Sequence, residues 1–339
     1  MTRKILFFIN PVSGTRNKLP LEKKIAKKCQ EKNIGYEFLF TAEDGNYPFL
    51  REKIGRDKIT DIIICGGDGS ISPVIASILN LKVNIGIIPV GSGNGLALTA
   101  KISRSVDKAL EIIFKGNASC IDAFLINGRL GCMLCGIGLD AQVAYDFSLQ
   151  KRRGLSTYIR QSFKNFLSAS PYPFELTIKK TKFRVDAFFI CIANSNQFGN
   201  NFTIAPEASL SDGLLDIIVV KKMSKPWILW SVIRQMKTGK IVSHEEETFH
   251  AKNILYFQTD KIKITNIIWL RFILTVIMLK PIKNLILKFC LQPSGSFSLR
   301  SCLKMILYIF NGQKWSVGAR RQPAVSDFKL NVANIFVPA

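Results

Sequence analysis

Asp68 and Ser70 stand one residue apart in Cys65-Gly66-Gly67-Asp68-Gly69-Ser70, a glycine turn that follows the apolar run Ile62-Ile63-Ile64. One carboxylate and one hydroxyl among glycines suit phosphate chemistry. Glycine has no Cβ, so backbone amides can come close to a polyphosphate, and a helix following Ser70 would add the positive end of its dipole. The same residues also make an ordinary tight turn in which aspartate bonds its own loop. Two further loops favour the phosphate reading. Ile5–Ile9 runs into Asn10-Pro11-Val12-Ser13-Gly14, and Val83–Ile88 runs into Pro89-Val90-Gly91-Ser92-Gly93-Asn94-Gly95. In an open parallel sheet, loops at the carboxyl ends of strands share one edge, and ligands bind there.

The elements that must position these loops alternate along the chain. Strands near 4–9, 36–41, 61–65 and 83–88 are separated by helices near 20–32, 46–56 and 71–80, with another helix near 104–115. That alternation is what a parallel sheet requires. From about residue 118 the pattern changes to strands near 119–126, 130–136, 174–180, 183–193, 214–221 and 252–258, interrupted by a basic helix near 151–168 and another near 225–238. The expected fold is α/β: a Rossmann-like parallel-sheet nucleotide domain over 1–117, then a mostly antiparallel β-sandwich over 118–260. A chain of 339 residues exceeds the size at which one core keeps growing, which agrees with two domains.

In their order and wording these motifs resemble the diacylglycerol kinase catalytic family, which includes bacterial lipid kinases and sphingosine and ceramide kinases. The resemblance rests on Asn10-Pro-x-Ser-Gly14, Gly66-Gly-Asp-Gly-Ser70, Pro89-x-Gly-Ser-Gly-Asn94, Gly136-Ile-Gly-Leu-Asp140-Ala141 and Ser211-Asp-Gly-Leu-Leu-Asp216, and covers roughly residues 3–258. It implies an ATP- and Mg²⁺-dependent transfer of phosphate to a lipid hydroxyl, diacylglycerol being the first candidate acceptor. Nucleotide contacts are then expected from Asn10, Pro11, Val12, Ser13, Gly14, Thr41, Gly66, Gly67, Asp68, Gly69, Ser70, Gly91, Ser92 and Asn94. Asp68 would lie between nucleotide and acceptor, as a base or through a metal-bound water. Asp140 would face the acceptor headgroup or the nucleotide-bound metal. A structural Mg²⁺ is implied on the Asp212 carboxylate and the carbonyls of Ser209 and Leu214. Two alternatives stand beside this: an NAD kinase-like enzyme, whose superfamily shares the Gly-Gly-Asp-Gly turn, and a catalytically impaired nucleotide- or lipid-binding member. The second is motivated by a departure from the family pattern. An Asp-Gly-Glu turn normally supplies the family's base, and this chain has no glutamate after Glu247.

The last 79 residues depart in composition too, with 12 Lys and Arg against one acid, Asp327, so that +11 of the formal net charge of +23 comes from residues 261–339. Ile267–Leu279 is too short and, with Arg271, too polar for a comfortable membrane span. It could lie on an anionic bilayer. The loss of acids, of strand pattern and of the family motif together favours a disturbed reading frame after about Asp260 and a poorly ordered tail. Elsewhere the charge fits a peripheral surface at an anionic leaflet, with Lys151-Arg152-Arg153 and Lys221-Lys222 flanking the presumed acceptor domain. No nucleic-acid module accompanies the basic residues. Eight cysteines in so long a chain are no disulfide scaffold, and with only His244 and His250 beside them Cys132-Met-Leu-Cys135 does not complete a zinc site. Met1-Thr-Arg-Lys4 leads straight into a short strand rather than a signal segment. The expected location is cytoplasmic, peripheral at the inner membrane face, and a homodimer stays open.

Overall fold

The computed structural model of the chain describes residues 3–14, 18–79, 81–126, 129–150, 155–178, 180–199, 202–227, 253–274, 277–289 and 305–308. Its first part is a parallel sheet built from β1 (Lys4–Ile9), β2 (Gly35–Phe40), β3 (Asp61–Gly66) and β4 (Asn84–Pro89), in the order β2-β1-β3-β4. Every residue of β3, and all of β1 after Lys4, is buried. Continuous apolar runs of this kind belong to strands covered on both faces. The helices are α1 (Leu19–Glu31), α2 (Leu50–Arg56), α3 (Asp68–Ser77), α4 (Gly95–Thr99) and α5 (Val106–Lys115). Helix α1 turns Leu21, Ile25 and Cys29 inward at four-residue spacing. The ends of β1, β3 and β4 lie on one edge, as the sequence implies.

After β5 (Ala118–Ile121), an edge strand of the first sheet, the second part is antiparallel and starts from β6 (Phe124–Ile126), β7 (Arg129–Gly131) and β8 (Leu134–Gly138). Helices α6 (Leu139–Ser148) and α7 (Leu155–Ser168) follow. Then come β9 (Tyr172–Ile178), β10 (Thr181–Ala193), β11 (Gln197–Gly199), β12 (Phe202–Thr203), β13 (Leu215–Lys221), β14 (Ile254–Thr259), β15 (Lys261–Leu274), β16 (Ile277–Phe289) and β17 (Met305–Tyr308). Strand β9 pairs with both β10 and β15, and both of those pair with β8, so the sheet closes on itself. Alternation sorts the side chains of β10 and β13. Ile190, Ile192, Ile217 and Val219 fill the β core, whereas Cys191, Ala193, Ile218 and Val220 join the core of the α/β part. Two-sided burial of these strands is what welds the two parts together.

Loss of acids after Asp260 suggests that strands end there, and for residues 261–289 the structure corrects this. Strand β15 pairs with β8, β9 and β16, and β16 pairs with β6. Ile262 and Ile264 are 0% and 1% exposed in the β core, and Lys261 and Lys263 alternate with them on the outside. An alternating lysine-isoleucine strand is basic by composition yet ordinary by period, and the charge count conceals it. Strand β17 was also unforeseen; it enters the first sheet between β4 and β5, parallel to β4 and antiparallel to β5. The remainder of the tail, all but residues 225–227 of the helix expected near 225–238, and Lys151-Arg152-Arg153 lie outside the described residues. Among the described residues, no helix is long and apolar enough to cross a membrane.

Because Ile264 is fully enclosed, Ile264→Ala is expected to cost about 2–5 kcal/mol in denaturant unfolding. A loss below about 1 kcal/mol would place β15 outside the core.

Candidate nucleotide and acceptor site

Three loops meet at the carboxyl edge of the parallel sheet, and their side chains mainly tie the loops to one another. After β1, Asn10 donates from Nδ2 to Ser70 Oγ at 2.7 Å and accepts at Oδ1 from Val12 N at 3.0 Å. Ser13 Oγ donates to Asn10 O at 3.0 Å. Pro11 and Val12 are exposed at the tip of this loop, which ends at Gly14. Thr41 lies just past β2 on the same edge, its N–H donating to Ile9 O at 3.0 Å. In the third loop Asn94 adopts a left-handed backbone, φ 60°, and its side chain clasps Gly91, accepting from Gly91 N at 3.0 Å and donating to Gly91 O at 2.7 Å. Ser92 is exposed above it.

Asp68 binds the second loop to the third. Only 7% exposed, it accepts from Gly95 N at Oδ2, 2.9 Å, and from Leu96 N at Oδ1, 3.2 Å. It therefore caps α4 from another loop, across 27 positions of sequence. Burial pushes its carboxyl above the usual range, and the backbone donors act against that push. The loops approach so closely that a Cβ at Gly91 would stand 2.4 Å from Gly67 Cα. At the start of α3 the cap residue is Gly67, which offers no side-chain cap. A helix start left in that state is suited to an anion.

The β domain presses on this assembly. Thr99 Oγ1 donates to Asn196 Oδ1 at 2.8 Å, and Ser72 Oγ lies 3.3 Å from Cys132 Sγ. Asp140 belongs to this domain, in the first turn of α6 directly after β8. Its carboxylate lies over the backbone of β8, where a Cβ at Gly136 would come within 1.8 Å of Oδ2. Glycine at 136 thus makes room for Asp140. Burial pushes Asp140 up to about 6. Its electrostatic neighbours are Tyr158, Cys135 and Cys191.

Ser209, Asp212 and Leu214 fall in one tight turn, Asp212 Oδ1 accepting from Leu214 N at 3.0 Å. The turn is held by a residue the sequence reading missed. Asp122 accepts from Gly213 N at 2.8 Å and donates its own N–H to Leu210 O at 2.6 Å. Among the described residues, no three His, Cys, Asp or Glu side chains gather as a metal cluster. A hard cation at the Asp212 turn would thus depend on one carboxylate with carbonyl and water oxygens, a set that suits Mg²⁺. Lys18 was missed as well. It is 7% exposed and its Nζ donates to Ser13 O, bringing a lysine to the first loop. Asn196 gave no signal either, because its partner lies in the other domain.

An α/β domain with three glycine loops on one strand edge, joined to a closed antiparallel domain, makes a two-domain frame whose loop edge suits a phosphate-bearing ligand. Residues 4–126 match the diacylglycerol kinase catalytic domain, and residues 134–266 match the YegS C-terminal NAD kinase beta sandwich-like domain. The chain thus pairs a diacylglycerol kinase catalytic domain with a YegS C-terminal-like domain, and the names of its relatives indicate a lipid kinase. It is 26% identical over 263 residues to a diacylglycerol kinase of Bacillus subtilis, a match covering 75% of this chain and 83% of that protein. A Synechocystis protein is 26% identical over 270 residues, which is 76% of this chain but 61% of that longer relative. The crystal structure of a Bacillus anthracis diacylglycerol kinase shares the fold at a TM-score of 0.63, with 18% identity over 91% of this chain and 97% of that one.

A raised carboxyl makes a prediction whose sign is fixed. Above pH 6 the folded state holds Asp140 charged at a cost that the unfolded chain does not bear, and below about pH 4 both states are neutral. Asp140→Asn is expected to stabilise the protein at pH 8 by on the order of 1–2 kcal/mol, the gain fading below pH 6 and vanishing near pH 4. Unfolding curves at the three pH values check it, and a gain that grows on acidification would contradict it.

Proposed function

We propose that this kinase transfers the γ-phosphate of ATP to the hydroxyl of a lipid alcohol, with diacylglycerol the first candidate. The observation that carries the proposal is the bond from Asp68 to the Gly95 and Leu96 amides, which holds two glycine loops in backbone contact. Side chains of Asn10, Ser13, Ser70 and Asn94 build the loops, while the backbones of Gly14, Gly66, Gly67, Gly69 and Gly91, the exposed Ser92 and Thr41 face the nucleotide. Pro11 and Val12 border it. Asp68 acts as the positioning residue, and its remaining lone pairs are available to a metal-bound water.

Asp140 is the proton acceptor in this reading. A carboxylate brought up to about 6 by burial is matched to taking a hydroxyl proton near neutral pH, the role for which this chain lacks the family's glutamate. Asp212, with the carbonyls of Ser209 and Leu214, would hold a structural Mg²⁺; a Mg²⁺ with ATP would neutralise charge on the transferring phosphate. Because its acceptor resides in a bilayer, the enzyme works at the surface of an anionic membrane. The absent glutamate keeps one second reading, a binding protein without turnover, and the name of the C-terminal domain keeps NAD as a competing acceptor.

Labelled ATP, Mg²⁺ and either NAD or micelles of diacylglycerol or sphingosine test these readings together. Transfer to diacylglycerol is expected, rising with pH through about 6 as Asp140 loses its proton. Asp140→Asn should lower it about 10²–10⁴-fold with ATP binding retained. Transfer to NAD alone would favour the competing acceptor. ATP binding without any transfer would leave a binding protein.

A further inference from the structure

Helix α7 is built inside out. Its amide side chains face the protein: Asn165, 9% exposed, donates to Asp146 Oδ2 at 2.7 Å, and Gln161 donates to Asn165 Oδ1 at 3.2 Å. Three of its apolar side chains face away. Ile159, Phe163 and Leu167, spaced by four, are 51%, 50% and 56% exposed. A helix of a globular protein normally points such a stripe at the core, so one pointed outward calls for a nonpolar partner. Arg160 and Lys164 are exposed along the edge of the stripe, and α7 carries no acidic residue. Lys225 adds a further cation by donating to Leu167 O, with Trp227, 41% exposed, just beyond it. An apolar stripe bordered by cations complements a leaflet of anionic lipid, whose acyl region takes the stripe and whose headgroups take the lysines and arginine.

The inner face of α7 leads to the proposed acceptor site. Tyr158 packs edge-on against Phe147 of α6, with ring centroids 5.4 Å apart. Burial raises its phenol, and the charge of Asp140 raises it further. One helix therefore has the outward stripe on one side and the Asp140 carboxylate on the other.

We propose that α7 is the face by which the chain docks on an anionic bilayer, placing Asp140 beneath the headgroup layer's edge. The role as a route to acceptor lipid rests on the kinase reading; the docking itself does not. Sedimentation of the full chain with vesicles of phosphatidylcholine, alone or mixed with equal phosphatidylglycerol, tests it. Ile159→Gln, Phe163→Gln and Leu167→Gln combined should weaken binding to the mixed vesicles at least about tenfold. Arg160→Gln with Lys164→Gln should weaken it on the order of tenfold on mixed vesicles and leave the faint binding to neutral ones unchanged. All these side chains are exposed, so thermal stability should be retained. Phosphate transfer to diacylglycerol in vesicles should fall in parallel, and transfer to a water-dispersed short-chain diacylglycerol should persist. Unchanged vesicle binding by the triple variant would overturn the proposal. So would a clear loss of thermal stability, which would mean that the chain's own residues 228–250 cover the stripe, or a wild-type dimer that the triple variant splits. If vesicle binding behaves as expected but no lipid alcohol is phosphorylated, the kinase reading fails and the docking face stands.

Discussion

The bond between the Asp68 carboxylate and the amides of Gly95 and Leu96 is the constraint on which this structure turns. Its two oxygens, on a residue only 7% exposed, take the first N–H groups of a five-residue helix that has no side-chain cap of its own. Charge-assisted bonds of this kind are strong where water is excluded, and they offset the burial that pushes Asp68 up. Removing them would free α4, part the Gly67 and Gly91 backbones, and leave a buried charge without donors. Helix α4 also carries Thr99, which meets Asn196, so the same bond fixes where the β domain touches the nucleotide loops.

Much of this was legible because local signals and global fold agree. Buried-type runs such as Ile62-Ile63-Ile64 can only be central strands, and glycine turns that close three such runs must fall on one edge. What escaped is long-range or disguised. Asp68 looks like a residue bonding its own turn, and nothing local says that its partners lie 27 residues on. Lys18 and Asp122 are single residues that matter only through the loops they hold. Strand β15 hid behind its lysines, and β17 returns from the far end of the chain to a sheet already complete in sequence. In each case topology supplied what composition and spacing do not contain.

The β domain has two kinds of work in this account, and its burial pattern separates them. Strands β10 and β13 face both cores and make the connection to the α/β domain rigid. Helices α6 and α7 lie outside that framework, with Asp140 at the start of one and an apolar stripe along the other. A half-buried carboxylate whose ionisation is penalised and an exposed apolar surface are each costly alone. Both costs find a reason if a lipid headgroup meets the first while its bilayer meets the second.

Hydrogen–deuterium exchange of the full chain, with and without ATP and Mg²⁺, addresses the central claim most directly. Nucleotide seated on the loops that Asp68 holds should slow exchange in peptides covering residues 10–14, 66–71 and 91–97 together. Protection of other segments with these three unaffected would contradict the account.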